Sequence, residues 1–194
     1  MNERGVYQDC EASTYCQMDR NLTKIDWNSL ESLHNWVEHL DIACDSHTQF
    51  GMIGSAYFSG YTLSCLFVPR LADLYGRRLP FLVSSWFQLF IFIGIFFSNS
   101  YLFTVALILV FGFCGAGRSV VGYLYLLELV PSDWKTLVGT SLHSCNSLTF
   151  IMSALYFWFI SKDWRWIILF SMIFNFIAVL GVTFIVPESP IYLY

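Results

Sequence analysis

The sequence predicts an all-α membrane protein with about five transmembrane helices, and three observations support that. Of the 194 residues, 56% are hydrophobic and only 12% charged, whereas soluble domains average about 45–50% apolar and about 25% charged. The apolar residues gather into five runs, at 50–69, 79–97, 101–127, 136–160 and 166–186, each near the ~20 residues that a spanning helix needs. Charge is segregated as well. Residues 1–48 hold nine of the fourteen acids against three bases, while 49–194 hold five acids and seven bases. The chain divides into an acidic extramembrane tail over 1–48 and a helical bundle over 49–194.

In the tail, Leu30, Leu33, Val37 and Leu40 recur at helical spacing and predict an amphipathic helix over 23–40. Its polar face is acidic, which favours local packing over a membrane anchor. Cys10, Cys16 and Cys44 can supply one disulfide with one thiol left over if the tail meets an oxidising compartment. Asn21-Leu22-Thr23 is a glycosylation acceptor pattern, which makes Asn21 a modification candidate. Cys65, Cys114 and Cys145 lie in apolar runs and read as small hydrophobes. No Cys/His spacing suggests a metal, and no cofactor is expected.

The runs are separated by short polar segments at 70–78, 98–100, 128–135 and 161–165. In hydrocarbon every backbone N–H and C=O must find a partner, and solid apolar runs of this length do so as helices. A closed barrel would instead need short alternating segments. On the first helix, Gly51, Ser55 and Ser59 form a small-residue ridge suited to packing. Arg70, Arg77, Arg78 and Lys135 fall on one side of the membrane, and Lys162 and Arg165 on the other. The excess of bases places 70–78 in the cytosol and the tail outside.

Two groups of polar residues lie inside the helices. Arg118 sits nine residues from the end of the third run, roughly 13 Å deep at 1.5 Å per residue, where a lipid-facing charge costs at least about 2.5–3.5 kcal/mol. Gly115, Arg118, Gly122 and Tyr125 share one face of a regular helix, so Arg118 is expected to face an interior, as an anion-favouring substrate contact or in an internal pair. His143 and Asn146, one turn apart on the fourth helix, either line the same cavity or bond to neighbouring helices. Arg118, Tyr125, His143 and Asn146 are the substrate-path candidates. No nucleophile–base pair, phosphate loop or basic nucleic-acid patch is present, so neither an enzyme nor a nucleic-acid partner is expected.

The segment Pro69-Arg70-Leu71-Ala72-Asp73-Leu74-Tyr75-Gly76-Arg77-Arg78 resembles the signature loop of the major facilitator superfamily. Cys44-Asp45, Gly112 with Gly117, Glu128 with Lys135, Asp163-Trp164-Arg165-Trp166 and Pro187-Glu188-Ser189-Pro190 follow in the matching order. Together they resemble its organic cation and anion transporter branch over about 36–194, with sugar-transporter-like relatives as the alternative. The resemblance implies a partial N-terminal six-helix bundle comprising the second through sixth of twelve helices. The tail would then be an extracellular loop, and the C-terminal half would be missing or supplied by a partner chain. It also implies a conformational latch of Asp73, Gly76, Arg77, Arg78, Glu128 and Lys135, and an end motif of Pro187, Glu188, Ser189 and Pro190. The function implied is alternating-access transport of a small organic solute, most readily an organic ion, across the plasma-membrane bilayer. Pro69, Leu74, Ile108, Lys135 and Ile191 depart from the family pattern. Those departures favour the alternative, a non-transporting scaffold subunit derived from a transporter.

Overall fold

A computed structural model describes residues 16–18, 24–27, 29, 32–44 and 47–189. A short helix α1 (Trp36–His39) precedes five long helical segments. These are α2 (His47–Tyr75), α3 (Arg78–Phe97), a third segment in three pieces, α6 (Lys135–Phe159) and α7 (Trp164–Phe184). The third segment runs as α4 (Tyr101–Ala116), a π turn (Gly117–Val121) and α5 (Gly122–Leu129).

Among the described residues, three segments are long and apolar enough to cross a membrane: Arg78–Phe97, Tyr101–Leu129 and Trp164–Phe184. Helices α2 and α6 are long enough, at 29 and 25 residues. Their apolar character is diluted by Gly, Ser, Thr and Tyr in α2 and by Thr140, His143, Asn146, Thr149 and Ser153 in α6. The five expected spans are therefore present as helices, but only three are apolar throughout. Phe90, Phe97, Phe150, Trp158 and Phe174 point outward, as the lipid-facing surface of a bundle requires.

The centre of the bundle is α2 against α4. A Cβ on Gly60 would lie 2.0 Å from the Leu109 carbonyl oxygen, and one on Gly112 would lie 2.1 Å from that of Tyr57. The two backbones touch, which only glycine at both positions permits. Ala56, Gly60 and Ser64, four residues apart, are the buried ridge of α2. The expected ridge of Gly51, Ser55 and Ser59 is exposed on a different face.

Helix α2 was expected to stop at Pro69, yet it continues to Tyr75 with the proline inside. Proline removes one backbone hydrogen bond there. The turn beyond it is held by tertiary packing, because Val68 and Ala72 are buried against Val121. The expected 70–78 loop shrinks to a turn at Gly76 and Arg77.

Of the helix expected over 23–40, only the single turn Trp36–His39 forms among the described residues. Asn35 caps the first turn by accepting from the Glu38 N–H at 3.1 Å, so the helix begins at Trp36. It is four residues long, and Asp41, two residues past its end, takes a positive φ of 55°. Leu30 lies outside the described residues, as do Asn21 and Cys10. Cys16 and Cys44 form a disulfide, with Cα atoms 5.3 Å apart.

The tail is tied to one end of the bundle. The His34 N–H donates to the Lys162 carbonyl at 3.0 Å, and Lys162 Nζ donates to the Ser29 carbonyl. Trp36 and His39 pack their rings on Trp164 at 5.9 and 5.6 Å, and His39 Nε2 lies 2.9 Å from the Ser98 carbonyl oxygen. The tail thus joins the 98–100 and 161–165 turns, and the Gly76 turn lies at the opposite end.

Candidate functional site: a charged cluster and a basic cleft

The charged cluster begins with a helix that cannot cap itself. Helix α3 starts at Arg78, and Arg77 before it supplies no side-chain cap. The first N–H groups of any helix lack internal partners and favour an anion. Glu188 provides that anion from beyond the last helix. Its Oε1 accepts from the N–H groups of Arg77 at 3.1 Å, Arg78 at 3.0 Å and Ser189 at 3.0 Å. Gly76 makes room for it. Its φ is +88°, and a Cβ there would lie 3.0 Å from the Glu188 carboxylate.

Side chains complete the cluster. Arg77 Nε donates to Glu128 Oε1 at 2.5 Å, and its Nη2 meets Asp73 Oδ1 at 3.2 Å. Glu128 Oε2 accepts from Ser189 Oγ at 2.5 Å. Arg78 Nη2 donates to the Thr183 carbonyl at 2.6 Å, at the negative end of α7, where a cation is favoured. Tyr125 Oη donates to the Pro187 carbonyl.

Asp73, Gly76, Arg77, Arg78, Glu128, Pro187, Glu188 and Ser189 therefore meet in one place, and Pro190 lies outside the described residues. Lys135 does not join them. Val130 and Pro131 are extended, a short turn over Ser132–Trp134 redirects the chain, and Lys135 opens α6 exposed.

The two carboxylates on Arg77 are unequal. Asp73 is 64% exposed and Glu128 only 11%. Exposed pairs contribute about 0–1 kcal/mol, whereas removing one partner of a buried pair costs about 3–5 kcal/mol. Asp73→Asn is therefore expected to cost under about 1 kcal/mol and Glu128→Gln about 3 kcal/mol. Unfolding followed in detergent would check this, and equal losses would contradict the ranking.

The second feature depends on the π turn. A π turn carries one more residue than an α turn, about 100° of extra helical rotation. That is why Arg118 and Tyr125 do not share a face as expected. Tyr125 turns into the charged cluster, and Arg118 faces a cleft between the π turn, α2, α5 and α6. The wide turn is held in place locally. Gly117 sits so close to Ser84 that a Cβ would come within 2.0 Å of its Oγ. Ser119 Oγ donates to the Gly115 carbonyl at 2.7 Å and lies 3.1 Å from Tyr61 Oη.

The cleft measures about 760 Å³ and is lined by Tyr61, Arg118, Ser119, Tyr123, His143 and Asn146 among others. Among the described residues Arg118 is the sole Lys, Arg, Asp or Glu in its lining, and its guanidinium makes no hydrogen bond or ion pair with them. The His143 ring lies 5.1 Å from that of Tyr123. Helix α6 is exposed along almost its whole length, with only Gly139 buried. Its polar residues thus form an open wall of the cleft.

With this geometry in place, the sequence profile described as Major Facilitator Superfamily matches residues 31–192. The chain belongs to the major facilitator superfamily. Its helices form part of a facilitator bundle, in a family of integral membrane carriers. Relatives include solute carrier family 22 member 6 of Pseudopleuronectes americanus, 30% identical over 147 residues, which make up 74% of this chain and 25% of the relative. Vacuolar protein sorting-associated protein 73 of Saccharomyces cerevisiae is 33% identical over 73% of this chain and 29% of its own length. The organic cation transporter protein of Drosophila melanogaster is 26% identical over 70% and 24%. The facilitator chain spans about a quarter of the length of these relatives.

Proposed function

We propose that the chain forms one part of a plasma-membrane carrier for small organic ions, working by alternating access with a second half supplied by further chain or a partner. The observation that carries this reading is the cleft of about 760 Å³ with Arg118 as the sole Lys, Arg, Asp or Glu side chain among the described residues that line it. Its size suits a drug-sized solute, which pockets of about 300–1,000 Å³ accommodate. An unpaired guanidinium presents a planar donor fork to a carboxylate or sulfonate. Aromatic rings of Tyr61 and Tyr123 offer apolar and polar edges to the rest of the solute.

In this reading Asp73, Gly76, Arg77, Arg78, Glu128 and the 187–189 segment are the cytoplasmic latch that holds one conformation. The tail, with its disulfide and Asn21, lies outside. The alternative of a non-transporting scaffold would leave the cleft without a ligand. The test is binding of an isosteric charge series to the chain in lipid nanodiscs. Benzoate is expected to bind, with benzamide and benzylamine at least about 10-fold weaker, since every 1.4 kcal/mol is tenfold. Equal binding of all three, or of none, would overturn the reading.

A further inference from the structure

We propose that the seam between α3 and α7 binds a structural water molecule, held by Ser85, Gln88 and Asn175 midway through the bundle. The site stands apart from the cleft and needs no transported solute. Ser85 and Gln88 lie one turn apart on α3 and are 0% and 1% exposed, and Asn175 on α7 is 8% exposed. The Asn175 side-chain amide donates to the Ser85 carbonyl at 3.4 Å, which brings it to the same turn of α3. Among the described residues, neither Ser85 Oγ nor Gln88 Oε1 finds a hydrogen-bond partner.

Both atoms sit inside a helix long and apolar enough to span the membrane, at a depth where bulk water does not reach. A bare polar atom there forfeits its hydration without return, so buried polar atoms are nearly always paired. The Ser85 hydroxyl also departs from its counterparts. Thr140, Thr149 and Thr183 each donate to the carbonyl four residues earlier in their own helix. Ser85 Oγ makes no such bond and is left for a different acceptor.

One water answers all three groups. Residues three apart on a helix have Cβ atoms about 5–6 Å apart, a gap that a water can bridge. It accepts from the Ser85 hydroxyl and donates to Gln88 Oε1. It also accepts from the Asn175 amide, whose present bond is longer than the usual range of about 2.7–3.2 Å. Those are the roughly three hydrogen bonds that a buried water makes. The three side chains are uncharged, so the ligand is water and not an ion, whose charge would stand uncompensated in the membrane. A shift of α7 by one turn would part the amide from the other two groups. The water therefore marks the register of α7 on α3.

The experiment is radiolytic labelling of the whole chain in nanodiscs, in water enriched in heavy oxygen. Hydroxyl radicals formed at a bound water mark the side chains beside it. Leu89 follows Gln88 and Val179 lies one turn beyond Asn175, and both are buried. They should take up label several-fold faster than Ile95, which is also buried on α3 but about two turns away. Gln88→Met keeps the length of the side chain and removes the acceptor. It should slow labelling of Leu89 and Val179 to the rate of Ile95 and lower the unfolding midpoint in detergent, because Ser85 and the water lose a partner. A dry seam gives the opposite results. Leu89 and Val179 would then label no faster than Ile95, and Gln88→Met would raise the midpoint by removing an unpaired oxygen. Either result would overturn the water. Labelling of the wild-type protein decides the matter even if the variant fails to fold.

Discussion

Arg118→Leu should abolish uptake of an organic anion by the complete carrier while leaving membrane insertion intact or improved. The two readouts move apart because they sense different energies. Insertion no longer bears a charge costing about 2.5–3.5 kcal/mol at the helix centre. Uptake loses the sole Lys, Arg, Asp or Glu side chain among the described residues of the cleft. Arg118→Lys should keep part of the uptake, because the ammonium keeps the charge and loses the planar fork. Labelled benzoate uptake at matched surface expression decides the matter. Undiminished uptake by Arg118→Leu would make the arginine a bystander that reaches for the membrane surface.

Glu188→Ala should give the largest stability loss in the latch, about 3–5 kcal/mol, from three amide bonds to a charged acceptor worth about 1.5–3 kcal/mol each when taken singly. Glu188→Gln keeps an acceptor oxygen and gives up only the charge at a helix N-terminus, about 1 kcal/mol. Thermal unfolding in detergent should rank wild type above Gln and Gln above Ala. Hydrogen exchange at the Arg77 and Arg78 amides should accelerate in the same order. Equal losses in the two variants would mean that the charge matters and the geometry does not. Unchanged exchange would remove the cap.

Much of the architecture was legible because a membrane imposes a length. The apolar runs at 79–97 and 166–186 match α3 (Arg78–Phe97) and α7 (Trp164–Phe184) within two residues at each end. The misses share a physical cause, the dominance of tertiary packing over local signals. Pro69 reads as a stop, yet Val68 and Ala72 are buried on Val121 and carry the helix through it. The π turn carries no periodic signature. Its only traces are glycines at both flanks, Gly117 and Gly122, and the adjacent β-branched Val120 and Val121, which crowd a tight turn. Missing it put Tyr125 on the wrong face. The end motif was visible as a string, but its partner amides lie 110 and 111 residues earlier, a separation that no window can read. Lys135 matched a spacing and not a place, since the turn over Ser132–Trp134 points it outward.

That same separation sets an order of assembly. The amides of Arg77 and Arg78 leave the ribosome 111 and 110 residues ahead of the carboxylate that caps them. At about 5–20 residues per second the gap is roughly 5–20 s, far longer than the microsecond formation of a helix. Helix α3 therefore enters the bilayer with its first turn open to water or to lipid phosphate. It is sealed only when residues 187–189 have been made. Closure of the latch therefore waits until all five long helices have been made. A nascent chain arrested before Glu188 should present an unfinished helix end to the machinery that inspects new membrane proteins.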